Sequence, residues 1–207
     1  KIGEVVVVGG VRRSAMISLS DLDDDKMRYA KSGDWSKHNG HRALANNSIC
    51  YTEKPDSISF LREWNALVES YSGERGIFNR EASKKQAAKN GRRDADQDFG
   101  TNPCSEIILL DSQFCNLTEV VVRATDSVED LERKVKIATI LGTIQSTYTN
   151  FPYLTKDWKV NTEKERLLGV SLTGIMDNQL TTISNKGLAK TLEHLKNVAI
   201  ATNAEWA

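Results

Sequence analysis

No stretch of the chain approaches the roughly 18 consecutive apolar residues that a membrane helix needs. The first residues, Lys1-Ile2-Gly3-Glu4, have no apolar core of a signal peptide. Net charge is absent too: 28 basic residues balance 28 acidic ones, which argues against a dedicated nucleic-acid binder. It leaves room for a small anionic ligand, because a local basic site needs no global excess. Cysteine is scarce. Cys50, Cys104 and Cys115 are an odd count without a C-x-x-C pair, so neither a disulfide scaffold nor structural zinc is expected. A reducing cytoplasm is the expected setting, where a cysteine is either inert or chemically employed. The chain neither starts with Met nor closes its last helical pattern, so both ends read as cuts in a longer protein.

What remains fits a soluble globular chain of 207 residues, with 39% hydrophobic and 27% charged residues. Val5 to Val8 reads as a buried strand, and Gly9 to Ala15 as a loop with two arginines. A short helix is expected over 20–30, stopped by Gly33, and a short strand over 48–52. Phe60, Leu61, Trp64, Leu67, Val68 and Tyr71 recur at three- and four-residue spacing, which predicts a helix over 57–72 with that face inward. Residues 80–98 read as a solvated helix and loop. Strands are expected near 107–110, 120–122 and 167–172. Helices are expected from about 126 to 150, started by Asp126 with Glu129, and from 185 to 201. Strands alternating with helices predict an α/β fold.

The segment richest in chemistry is Thr101-Asn102-Pro103-Cys104-Ser105-Glu106, followed by Gln113-Phe114-Cys115-Asn116-Leu117. On extended backbone, Asn102, Cys104 and Glu106 would share one face. An amide, a thiol and a carboxylate could then meet one ligand: a hydrogen-bonding group, a hydrogen donor or nucleophile, and a base. From residue types alone, a core cysteine with polar neighbours is an equally open reading of Cys104. Gly9 to Ser14 is likewise open between a solvated turn and an anion site. In the second case backbone N–H groups, Arg12 and Arg13 would face a phosphate or a base.

Thr101 to Glu106 closely resembles the finger loop of ribonucleotide reductases, whose tip carries an Asn-x-Cys-x-Glu pattern. Gly9-Gly10-Val11-Arg12-Arg13-Ser14-Ala15 resembles that family's substrate-specificity loop. Further matches are Ala30 to Trp35, Asn46-Asn47-Ser48, Gly73 to Asn79 and Arg166 to Gly174, all in family order. Cys115 follows Cys104 by only eleven positions. That short gap and the Phe114-Cys115-Asn116-Leu117 setting resemble class II, the adenosylcobalamin-dependent enzymes, and within it the monomeric triphosphate-reducing branch.

The resemblance implies one partial catalytic domain over 1–207, part of a ten-stranded α/β barrel with its finger loop near 100–117. It implies reduction of ribonucleoside triphosphates to 2′-deoxyribonucleotides, the precursors of DNA. Cys104 would be the thiyl radical that takes the 3′ hydrogen, held dry inside the barrel. Glu106 would accept the 3′-hydroxyl proton and Asn102 would hold the ribose hydroxyls. Cys115 would be one of two reducing thiols, in reach of the same pocket, its partner lying before Lys1. Gly10, Arg12, Arg13 and Ser14 would sense substrate or effector nucleotide. A thioredoxin-like reductant would reset the disulfide; nucleic acid and membrane are not expected partners, and no metal site is expected. By the same resemblance, a phosphate loop and shuttle cysteines would follow Ala207. Two rivals remain: a class I diphosphate reductase large-subunit fragment, and a nucleotide-sensing barrel without turnover. Cys50 reads as a buried structural thiol, His38, His41 and His194 as unassigned, and Trp35, Trp64, Trp158 and Trp206 as packing residues.

Overall fold

The structure, a computed structural model, describes residues 15–89, 91 and 93–207. The expected strand at Val5 to Val8 and the loop carrying Gly10, Arg12, Arg13 and Ser14 lie outside the described residues. The chain divides into two compact units, Lys1–Asp111 and Ser112–Ala207. Both are mixed α/β with parallel strands, as the alternation of strand and helix patterns predicts.

In the first unit, β1 (Ile17–Ser20), β2 (Asn46–Tyr51) and β3 (Gly76–Asn79) form a parallel sheet with β2 in the middle. Ile17 is in register with Asn46, and Ser48 with Gly76. Parallel strands need long crossovers. Here β1 reaches β2 through two single-turn helices, α1 (Asp25–Arg28) and α2 (Trp35–His38), and β2 reaches β3 through α3 (Ser57–Ser70). Gly33 sits at positive φ between α1 and α2. The helix expected over 20–30 is therefore shorter: Ser20 still belongs to β1, and the Asp24 side chain caps α1 by accepting from Met27 N.

α3 begins where expected, capped by Asp56, whose Oδ1 accepts from Ile58 N and Ser59 N. Its buried face is not the expected one. Phe60, Leu61, Trp64, Val68 and Tyr71 are exposed, and Glu63 and Ala66 are buried instead. The cause is an ion cluster. Glu63, 5% exposed, receives Arg28 Nε at 2.8 Å, Arg75 Nε at 2.6 Å and Arg75 Nη2 at 2.9 Å. Arg75 also donates from Nη1 to Ser20 Oγ at 2.7 Å, and Arg28 reaches Asp25 and the Leu22 carbonyl. A buried carboxylate is tolerated only with such partners. Burial alone would push the Glu63 carboxyl up, but the hydrogen bonds and charges of Arg75 and Arg28 hold it below the ordinary carboxylate range.

β3 continues into α4 (Arg80–Lys89), and the unit ends in a small antiparallel hairpin, β4 (Gly100–Thr101) with β5 (Ile108–Leu109). In the second unit, β6 (Cys115–Val121) pairs in parallel with β7 (Leu167–Thr173) over seven register positions. Between them run α5 (Val128–Gln145) and α6 (Lys156–Glu165), and α7 (Leu188–Trp206) follows. α6 has no counterpart in the sequence reading, because its polar run shows no clear apolar face. α5 starts one residue later than expected: Ser127 and Asp130 form the capping box, while Asp126 accepts from Lys134 Nζ at 2.6 Å. Val120, Val122, Leu131, Val135, Ala138 and Leu195 form the core. α5 lies so close to β7 that a Cβ at Gly142 would collide with Leu168. No helix among the described residues is long and apolar enough to cross a membrane.

Candidate active site

The hairpin between β4 and β5 carries the segment singled out by the sequence. Its base is anchored by Phe99, which is fully buried. Arg80 Nε donates to the Phe99 carbonyl at 2.8 Å. The Arg93 guanidinium lies 4.9 Å from the Phe99 ring centroid, and its Nη1 donates to the Ile108 carbonyl at 3.0 Å. Two arginines that read as solvated charge thus grip both strands of the hairpin. Nothing in the local pattern distinguishes them, since their partners are backbone carbonyls set by the fold.

The tip is a tight turn. Ser105 N donates to the Asn102 carbonyl at 2.9 Å, closing Asn102-Pro103-Cys104-Ser105. Asn at the first position and Pro at the second suit such a turn. Ser105 takes a left-handed φ of 66°. This corrects the expectation of an extended segment: Asn102, Cys104 and Glu106 do not lie along one face of a strand, because the chain reverses between them. Two bonds lock the turn from within. Asn102 Oδ1 accepts from Ile107 N at 3.0 Å, and Thr101 Oγ1 donates to the Ile107 carbonyl at 3.0 Å. A third comes from β2, where Asn46 Nδ2 donates to the Pro103 carbonyl at 2.7 Å.

These bonds decide what each group can offer. With its oxygen engaged, Asn102 presents its Nδ2 as a donor. Cys104, Ser105 and Glu106 are exposed at the tip. The Cys104 thiol is therefore not dry in this chain: its residue is open to solvent. Thiol and carboxylate are both unengaged by hydrogen bonds among the described residues, so both are chemically available.

Cys115 belongs to the second unit and has a different setting. It opens β6, in register with Leu167, and is partly buried. The residues before it are fastened to α6. Gln113 Nε2 donates to Glu165 Oε2 at 2.6 Å and to the Asn161 carbonyl at 3.2 Å. The Phe114 ring packs at 4.6 Å from Trp158 and 5.0 Å from Phe151. The Cys115 sulfur is thus positioned by a strand, whereas Cys104 is positioned by a turn. Cys50 is buried in β2 as expected; burial pushes its thiol up, which disfavours the reactive thiolate. Trp64, read as a packing residue, is 48% exposed.

No family model matches the chain. Several curated relatives do, and the three that follow each bear the name adenosylcobalamin-dependent ribonucleoside-triphosphate reductase. The protein from Lacticaseibacillus paracasei is 35% identical over 183 residues, which is 85% of this chain and 23% of the relative. That from Lactobacillus delbrueckii subsp. bulgaricus is 34% identical over 192 residues, 89% of this chain and 24% of the relative. That from Lactobacillus gasseri is 33% identical over 194 residues, again 89% and 24%. The chain spans about a quarter of the length of the curated relatives it matches.

Proposed function

Since the chain is homologous along most of its length to one segment of the adenosylcobalamin-dependent ribonucleoside-triphosphate reductases, we propose that it carries the radical-bearing hairpin of such an enzyme. The observation that carries the reading is Cys104: an available thiol on a braced turn, between an amide donor and a carboxylate, in a segment with these relatives. The reaction is reduction of a ribonucleoside triphosphate to its 2′-deoxy form, which supplies DNA precursors.

Cys104, oxidised to a thiyl radical, takes the hydrogen atom from the 3′ carbon. Glu106 accepts the proton of the 3′ hydroxyl, and Asn102 donates from Nδ2 to a ribose oxygen. The 2′ hydroxyl leaves with a proton as water. Two electrons come from Cys115 and a second thiol, which end as a disulfide. Cys104 then returns its hydrogen to the 3′ carbon, which restores the thiyl. A dithiol protein of the thioredoxin type resets the disulfide by exchange. The accessible Cys104 thiol fits the cofactor in the relatives' names as a hydrogen-atom donor; when bound, adenosylcobalamin supplies the oxidising radical.

A thiyl radical survives and selects its hydrogen only where water is excluded and the sugar is held close. The exposure of Cys104 is therefore met, in this reading, by the three-quarters of the relatives' length that the chain does not span. A ten-stranded barrel built on the parallel sheets would enclose the tip. Gly10, Arg12, Arg13 and Ser14 are proposed to sense substrate or effector nucleotide, and the cytoplasm is the proposed compartment. The test is turnover by the full-length protein, given adenosylcobalamin, a ribonucleoside triphosphate and a dithiol. Cys104→Ser is expected to lower deoxynucleotide formation by about 10⁴-fold or more, and Glu106→Gln by about 10²–10⁴-fold. Full turnover by the Cys104 variant would refute the assignment.

A further inference from the structure

The Cys104 turn is closed by its own bonds, but only one side-chain bond among the described residues ties the tip to the parallel sheet. Asn46 Nδ2 donates to the Pro103 carbonyl at 2.7 Å across 57 residues of sequence. Pro103 has no N–H, so this carbonyl is its only polar group. It belongs to the peptide that leads directly into Cys104. Asn46 is itself well fixed. It is the first residue of β2, its N donates to the Met16 carbonyl at 2.8 Å, and it is in register with Ile17 of β1. Its neighbour Asn47 is buried and held through its backbone N by Glu74 and through Nδ2 by the Met27 carbonyl. Glu74 is in turn held by Lys31 at 2.7 Å. The donor that meets Pro103 therefore stands on a rigid strand end.

We infer that Asn46 is a positioning residue for the Cys104 thiol, setting the height of the tip above the sheet through the Pro103 carbonyl. This rests on the proposed role of Cys104. Among the described residues Asn46 makes its side-chain hydrogen bond to the Pro103 carbonyl and none to the thiol or the carboxylate, so its effect passes through the backbone of the turn. Small displacements of a reacting group carry large rate penalties, so one tether can matter to turnover while contributing little to folding. Asn46 is exposed in this chain, and its replacement should leave the sheet intact.

Asn46→Asp tests this, because it keeps the shape and removes the donor. In the 207-residue chain, amide hydrogen exchange at Ser105 and Ile107 should quicken about fivefold, the worth of one net hydrogen bond. Exchange in β2 and β3 should stay unchanged. In the full-length protein, kcat should fall about tenfold or more while KM for the nucleotide holds, the pattern of lost positioning. Asn46→Gln, which still carries an amide donor, should recover part of kcat. Unchanged exchange at the tip would overturn the tether. Faster exchange with unchanged kcat would overturn the positioning role. A Cys104→Ser enzyme with full turnover would instead refute the function while leaving the exchange result standing.

Discussion

The first unit buries a carboxylate between two guanidiniums; the second buries a valine-rich sheet face under two helices. Glu63, Arg28 and Arg75 meet beneath α3, and most of the large apolar side chains of that helix face outward. Val120, Val122, Leu131, Val135 and Leu195 meet in the second unit with no ion among them. The two units thereby treat their cysteines differently. Cys104 sits on a turn held by polar bonds between side-chain amides and backbone groups, and Cys115 on a strand backed by aromatic packing. A directional, polar frame fixes a particular geometry at the tip. An apolar frame fixes a strand, and the strand fixes the sulfur.

The largest expected effect separates the frames by mutation. Glu63→Ala leaves the buried Arg75 without its counter-charge and Arg28 with Asp25 alone, and should destabilise the first unit by about 3–5 kcal/mol. Hydrogen exchange resolved by segment should show lost protection in β1 to β3 and retained protection in α5. Leu131→Ala, at a fully buried core position, should do the reverse, at about 3 kcal/mol. Equal loss in both units from either change would break the comparison.

Acid should sharpen it. The folded-state value of Glu63 is depressed, so its contribution is present above the unfolded carboxylate value of about 4.3 and is lost as pH falls through the folded value. Segment-resolved exchange, corrected for intrinsic rate, should show α3 loosening as pH drops below about 4, with little dependence on salt. In the second unit Asp126, Asp130 and Glu132 are also held low, Asp126 chiefly by the Lys134 hydrogen bond, Asp130 by Ser127 N and Glu132 by Lys136. The Asp130 and Glu132 side chains, 43% and 31% exposed, reach solvent, so their acid response should shrink at about 1 M salt, whereas Asp126, 10% exposed, should respond to salt less. A salt-sensitive response around α3 would contradict the buried-cluster account.

The same contrast explains how much could be read in the sequence. In the second unit Leu131, Val135 and Ala138 of α5 and Leu195 of α7 are buried as apolar periodicity suggests, but Leu141, Ile144, Tyr148 and Leu192 face solvent, and Thr139, Gly142 and Thr143 are buried in their place. In α3 the periodicity marks a helix but points to the wrong side, since the buried face is turned by roughly a third of a revolution toward Glu63. Its partners Arg28 and Arg75 are distant in sequence, so no local pattern announces them. The hairpin tip was legible as residue types, Asn102, Cys104 and Glu106, but not as a turn. Pro103 was the local signal for a reversal, and Ser105 at positive φ completes it. Arg80, Arg93 and Asn46 escaped because each is recognised only by the carbonyl it meets in space.

The most direct test follows the 3′ hydrogen itself. The full-length protein, with adenosylcobalamin and a dithiol, is given a ribonucleoside triphosphate tritiated at the 3′ carbon. The account predicts that Cys115→Ser still activates that bond, seen as tritium released to water, while yielding no deoxynucleotide. Cys104→Ser should do neither. Tritium release by the Cys104→Ser enzyme at the rate of the unaltered protein would contradict the assignment of the radical to this thiol.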